Sequence, residues 1–133
     1  MTTSTRTDDR PVRLAKMTYE EAQALIERGA VALLPTGATE AHGPHLPLST
    51  DVVIAETAAV RTARRLSALG TPAAVLPPLA YAVTEYAADF PGSLSLPPDT
   101  ARALARDAIL AATRTGFKGV VVCNAHLEPA NIK

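Results

Sequence analysis

Two short segments hold every histidine in the chain. Thr39-Glu40-Ala41-His42-Gly43-Pro44-His45, followed by Asp51, carries two of the three, and Asn124-Ala125-His126-Leu127-Glu128 carries the other. Imidazoles and carboxylates bind divalent transition metals without help from thiolates. Glu40, His42, Asp51, His126 and Glu128 form a candidate ligand set large enough for two ions. The chemistry such a set predicts is that of a dinuclear hydrolase. Two cations roughly 3.5 to 4 Å apart lower the pKa of a bridging water from about 15.7 towards about 7 and polarise the carbonyl it attacks.

Most of these candidates also have a plainer reading, and His42 and His126 could be satisfied loop histidines. Asp51 falls where a helix would begin, so it could serve as an N-cap, alone or while coordinating. Glu128 could be an acid in a helix's first turn, favoured by the dipole. His45 is expected to lie on the surface or to orient a ligand from behind instead of coordinating directly. Glu85, Tyr86 and Phe90 are candidates for the substrate mouth. Asn124 is read as fixing loop backbone, and Cys123 as a small buried residue.

These segments need elements to position them. Thr18-Tyr19-Glu20-Glu21 is a capping box, which predicts a helix from about Tyr19 to Arg28 with Ala22, Leu25 and Ile26 buried and Gly29 ending it. Val31 to Leu34 is a short apolar run stopped by Pro35, the pattern of a strand buried on both faces. A loop follows, then a helix opened by Asp51 and running to about Leu69, and a strand over Ala73 to Leu76. Leu79 to Pro98 reads as irregular. Asp99 or Thr100 then caps a helix ending near Thr115, and Val120 to Val122 is the last strand. The alternation implies an α/β fold of three layers, α/β/α, on a mostly parallel sheet. In such sheets, sites gather beyond the carboxyl ends of the strands, where both histidine segments fall.

The bulk numbers narrow the function. The chain has 133 residues with 47% apolar content, enough for one real core. Its 13 basic and 13 acidic side chains are scattered, so no basic stripe recommends nucleic acid. Neither histidine segment holds a Lys or Arg to clamp a phosphate, which counts against phosphoester substrates. One cysteine excludes an internal disulfide framework, and no apolar run is long enough to span a bilayer. The default expectation is a cytoplasmic protein with a disordered or extended tail over residues 1–16 and a single domain over 17–133.

The stretch from Leu34 to Asp51, containing Thr39-Glu40-Ala41-His42-Gly43, resembles the first motif of the creatininase family of amidohydrolases. Phe90-Pro91-Gly92-Ser93-Leu94-Ser95-Leu96 resembles that family's middle motif, and Cys123-Asn124-Ala125-His126-Leu127-Glu128 its third. The resemblance implies that Glu40 and His126 bind one metal, that His42 and Glu128 bind the other, and that Asp51 bridges them. It implies two zinc or manganese ions and hydrolysis of a C–N bond in a small cyclic or linear amide by a metal-bound hydroxide. His126 and Glu128 are then expected to act in catalysis as well as coordination. The family's compact α/β subunits often assemble as hexamers, so a homo-oligomer is expected. His126-Leu127-Glu128 looks more like the creatininase-proper arrangement than like the peptidase-type branch. Relatives are longer, so the chain resembles an amino-terminal half whose activity alone is in doubt. A non-catalytic metal-binding subunit acting through assembly is the alternative, and a dinuclear phosphoesterase a weaker one.

Overall fold

The computed structural model describes residues 11–128. The expected tail therefore falls largely outside the described residues, as do positions 129–133 of the expected domain. Val12 and Arg13 run beside a strand, with the Val75 amide donating to the Val12 carbonyl at 2.7 Å, and Leu14–Lys16 form a single 3-10 turn.

Helix α1 spans Tyr19–Glu27 and opens on the capping box. The Thr18 hydroxyl accepts from the Glu21 amide at 3.2 Å, and the Glu21 carboxylate accepts from the Thr18 amide at 2.7 Å. Strand β1 (Val31–Thr36) follows, then α2 (Thr50–Ala68), β2 (Ala73–Val75), α3 (Pro98–Thr115) and β3 (Val120–Asn124). The strands form one parallel sheet in the order β2-β1-β3. Leu33 pairs with Val75 on one side and Val121 on the other, and Thr36 reaches register with Asn124.

The side chains of β1 alternate between two cores. Ala32 and Leu34 pack with Ala74, Leu76, Ala112 and Phe117 under α1 and α3, where Leu25 and Ile26 complete the layer. Leu33 packs with Ala59, Val60, Ala63 and Val75 under α2. This is the expected three-layer α/β/α arrangement, and β1 is buried on both faces because it is the central strand.

β2 ends one residue earlier than expected, at Val75, and β3 runs two residues further, to Asn124; two other boundaries differ for a local reason. β1 continues through Pro35 to Thr36 instead of stopping before the proline. The amides of Val31 and Gly37 both donate towards the β2 side, to the carbonyls of Pro72 and Leu79. By strand alternation, the N–H that Pro35 lacks would face that side too, opposite the Pro77-Pro78 break where β2 has ended, so its loss removes no ladder bond. α3 begins at Pro98, not after a cap at Asp99 or Thr100; Pro97 is the cap residue and makes no side-chain bond. Proline at the first helical position supplies a suitable φ and lacks only an amide that would have been unpaired there. Asp99 instead pairs with Arg102 at 2.6 Å on the surface.

Both histidine segments leave the sheet at its carboxyl edge, from the adjacent strands β1 and β3. Gly37 lets the first of them lie tight against α2. A Cβ there would come within 2.8 Å of the Val52 amide nitrogen and 2.9 Å of Asp51 backbone and side-chain carbons. That close approach brings the Ala38 amide to the Asp51 carboxylate, donating to Oδ2 at 3.3 Å.

Candidate metal centre

Asp51 stands in the first turn of α2, with Ser49 at the cap position, so it does not cap the helix. Its side chain turns inward and is nearly inaccessible. The two carboxylate oxygens face different histidines. Oδ1 lies 3.0 Å from His42 Nε2, and Oδ2 lies 3.0 Å from His126 Nδ1. Glu40 Oε1 sits 3.2 Å from His126 Nδ1 and 3.8 Å from His42 Nε2. Glu40, Asp51 and His126 offer donor atoms all within 4.8 Å of one another, the one such three-donor group among the described residues.

The ring orientations identify what these atoms can bind. His126 Nε2 is 2.7 Å from the Val83 carbonyl oxygen, which can only accept, so Nε2 carries the proton and donates. In a neutral ring Nδ1 is then a lone pair aimed at two carboxylates. His42 repeats the pattern: Nδ1–H donates to the Glu40 carbonyl at 3.2 Å, which leaves the Nε2 lone pair facing Asp51. Two lone pairs aimed at carboxylate oxygens repel unless a proton or a cation lies between them. Anchoring of the outer N–H on a backbone carbonyl is also the usual arrangement behind a metal-bound histidine.

Charge leads to the same conclusion. Asp51, His126 and Glu128 are each at most 5% exposed. Among the described residues, no Lys or Arg forms an ion pair with Glu40, Asp51 or Glu128. Burying several carboxylates without a cation is strongly unfavourable, so the donor set fits divalent metal. Burial pulls the His42 pKa down, but the Glu40 carbonyl and the Asp51 carboxylate outweigh it, and the net shift is upward.

The five sequence candidates do not converge equally. Glu128 shares the cavity, but its carboxylate is turned to the other side of the His126 ring. Oε1 accepts from the Glu85 amide at 3.1 Å, and Oε2 is 3.9 Å from His126 Nε2. His45 is exposed, its ring over Gly43 and outside the cluster. Asn124 fixes the second loop, as read from sequence: its Oδ1 accepts from the His126 amide at 3.2 Å, and its Nδ2 donates to the His126 carbonyl at 2.7 Å. Cys123 is partly buried, and burial pushes its thiol pKa up, away from a reactive thiolate.

Sequence reasoning missed Thr84, which is fully buried and donates its hydroxyl to Glu40 Oε2. The signal available was its place just before Glu85 in the irregular stretch, which carries no recognisable ligand pattern. The cluster borders a cavity of about 790 Å³, lined by Glu40, His42, Asp51, His126 and Glu128 together with the apolar Leu48, Phe90 and Leu127 and the ring of Tyr86.

A parallel α/β sheet with a buried histidine–carboxylate cluster beyond its strand ends defines an α/β protein with a candidate metal centre. The family profile for creatininase, described as creatinine amidohydrolase, matches residues 15–133, and the chain belongs to that family. Over 123 residues it is 32% identical to a creatinine amidohydrolase of Pseudomonas putida, a match covering 88% of this chain and 45% of that protein. Over 67 residues it is 42% identical to a mycofactocin precursor peptide peptidase of Mycolicibacterium smegmatis, covering 50% of this chain and 27% of the relative. A crystal structure of creatinine amidohydrolase superposes with a TM-score of 0.80 at 31% identity, covering 88% of this chain and 46% of that one. The chain thus spans under half the length of these relatives.

Proposed function

We propose that the cluster is the metal centre of an amidohydrolase that cleaves a C–N bond in a small cyclic or linear amide. The observation that carries this reading is the pair of histidines whose lone pairs face opposite oxygens of one buried carboxylate. Glu40, His126 and Asp51 Oδ2 would hold one divalent ion. His42 and Asp51 Oδ1 would hold a second, with Glu128 the remaining carboxylate of the cavity to complete it. The fold relatives include a manganese creatininase and a creatininase of zinc–zinc type, so zinc and manganese are the ions proposed. When bound, such a pair lowers the pKa of water and polarises a carbonyl.

The chain's own residues supply position and exclusion. The Val83 and Glu40 carbonyls hold both rings with their lone pairs inward. Glu128 lines the cavity beside the donor cluster, the position from which to act on a bound amide, whereas His126, with both ring nitrogens engaged, would act through the ion it holds. Leu48, Tyr86, Phe90 and Leu127 offer an apolar wall for the non-reacting part of the substrate. Among the described residues no Lys or Arg lines the cavity, which disfavours the phosphoesterase alternative. One solved relative is a creatininase mutant complexed with creatine, which supports a small-molecule substrate.

We further propose a cytoplasmic homo-oligomer, a hexamer by family likeness. The supports are the free Cys123 and the half-exposed Val121 and Val122 on the edge strand β3. No helix among the described residues is long and apolar enough to cross a membrane. The test is a panel of creatinine, lactams, formamides and short peptides, assayed with and without added zinc or manganese. For a form that spans the length of its relatives, metal-dependent hydrolysis of an amide, reduced by orders of magnitude in Glu128→Gln, is the expected result. Phosphodiester cleavage without amide cleavage would overturn the assignment. Tight metal binding with neither activity would favour the non-catalytic subunit.

A further inference from the structure

Three consecutive residues each hold a different side chain of the site. The Val83 carbonyl accepts from His126 Nε2 at 2.7 Å. The Thr84 hydroxyl donates to Glu40 Oε2. The Glu85 amide donates to Glu128 Oε1 at 3.1 Å. Glu40 belongs to the loop after β1, whereas His126 and Glu128 belong to the loop after β3. Residues 83–85 therefore link two loops that are far apart in sequence and set the direction of three donor groups together. Val83 and Thr84 are themselves fully buried, so neither can shift without repacking.

This segment has little regular structure of its own: Val83 and Thr84 lie in no helix or strand, and Glu85 opens only the short 3-10 turn Glu85–Ala87. It is held by the extended stretch through Ser93, Leu94 and Ser95. Ser95 Oγ accepts from the Thr84 amide at 3.0 Å and donates to Glu85 Oε1 at 2.8 Å. The Leu96 amide donates to the Ala82 carbonyl at 2.9 Å. On the other side, Ser93 Oγ accepts from the Ala41 amide at 3.0 Å, and the Leu94 amide donates to the Thr39 carbonyl at 2.9 Å. The stretch thus runs between the Glu40–His42 loop and residues 82–85. Its two serines, on either side of Leu94, each hold one of them.

We infer that residues 83–85 are a positioning clamp for Glu40, His126 and Glu128, and that Ser93 and Ser95 are the brace that fixes the clamp against the first metal loop. The clamp acts through the donors and touches no reacting atom. Thr84 leaves Glu40 with Oε1 directed at His126 Nδ1, and Val83 leaves that nitrogen unprotonated, so the two atoms that face each other are both prepared to bind a cation. Partners of this kind, one step behind the ligands, typically change metal affinity by roughly 10–100-fold when removed.

The affinity part of the test rests on the proposed metal centre, so a second readout is independent of it. Zinc affinity of the purified chain is measured by competition with a chromophoric chelator. Thr84→Val, which swaps the hydroxyl for a methyl, is expected to weaken zinc by about 10–100-fold, and Thr84→Ser to restore it to within about threefold. Ser95→Ala, which removes no candidate metal ligand, is expected to weaken it by about tenfold and carries the test if Thr84→Val fails to fold. Folded Thr84→Val or Ser95→Ala with wild-type affinity would overturn the clamp. Independently, nitrogen chemical shifts of the metal-free chain at alkaline pH should report His126 protonated at Nε2. An Nδ1–H tautomer also overturns it. If wild-type protein binds no zinc while His126 keeps the Nε2–H tautomer, the metal reading fails and the clamp stands.

Discussion

Asp51→Asn separates the role of Asp51 as a shared donor from its role in packing. The amide has the carboxylate's shape, and its oxygen can still accept from the Ala38 amide, the bond that ties the loop to α2. What disappears is the negative charge facing both His42 and His126 at 3.0 Å. In the metal-free chain, at a pH where His42 is neutral, this removes one of several buried carboxylates with no Lys or Arg partner, so stability there should be unchanged or higher. Metal-dependent stability should vanish. An ion present at 100 times its Kd stabilises the folded state by about 2.7 kcal/mol, so two such ions contribute about 5 kcal/mol. For a chain of this size that is a rise in Tm of roughly 20 °C, at about 4 °C per kcal/mol. His42 reaches one Asp51 oxygen only, so His42→Ala should lose about half of that rise. The assay is thermal unfolding of wild type and both variants, each chelator-treated and then supplied with excess zinc. A full zinc-induced rise in Asp51→Asn would refute the shared-donor reasoning, as would an equal loss in both variants.

Gly37→Ala places a Cβ against the start of α2 and should destabilise by about 1–3 kcal/mol in urea unfolding, with a parallel loss of metal affinity as Asp51 is displaced. His42 has a raised pKa when folded, so its proton stabilises the metal-free chain fully below about 6.5 and that contribution fades as pH rises through the folded value. Metal competes for the same nitrogen, so zinc affinity should move the opposite way and fall as pH is lowered through that range; chelator competition at several pH values measures it. Val121 lies half exposed on the edge strand β3, and Val121→Lys should shift sedimentation profiles towards smaller species.

The layers of this fold were legible because they depend on side-chain pattern. The Thr18–Glu21 capping box, the apolar runs of β1 and β3, and Gly29 and Gly116 after α1 and α3 all report local preferences that packing leaves intact. The end of β1 was not legible. Pro35 breaks strands in general, and only the Pro77-Pro78 gap beside it makes the lost amide harmless. The start of α3 was misplaced because Asp99 is a good cap by type, whereas Pro98 already fits the first helical position.

The candidate donors were legible by type and spacing, since the chain keeps all its histidines beside carboxylates. Their supports were not. Val83 and Glu85 act through a carbonyl and an amide, groups every residue has, so no residue type could mark them. Ser93 and Ser95 stood within a stretch singled out by resemblance, yet their role depends on which loops pass on either side. Glu128 shows the same limit: its spacing from His126 suits coordination, but its direction is set by the Glu85 backbone.

The most direct measurement is anomalous diffraction from crystals of this chain grown with zinc or manganese. Two peaks roughly 3.5 to 4 Å apart, one beside each oxygen of Asp51 and facing His42 and His126 respectively, are the expected result. No peak at Asp51, or a single peak reached by both histidines, would contradict a dinuclear centre.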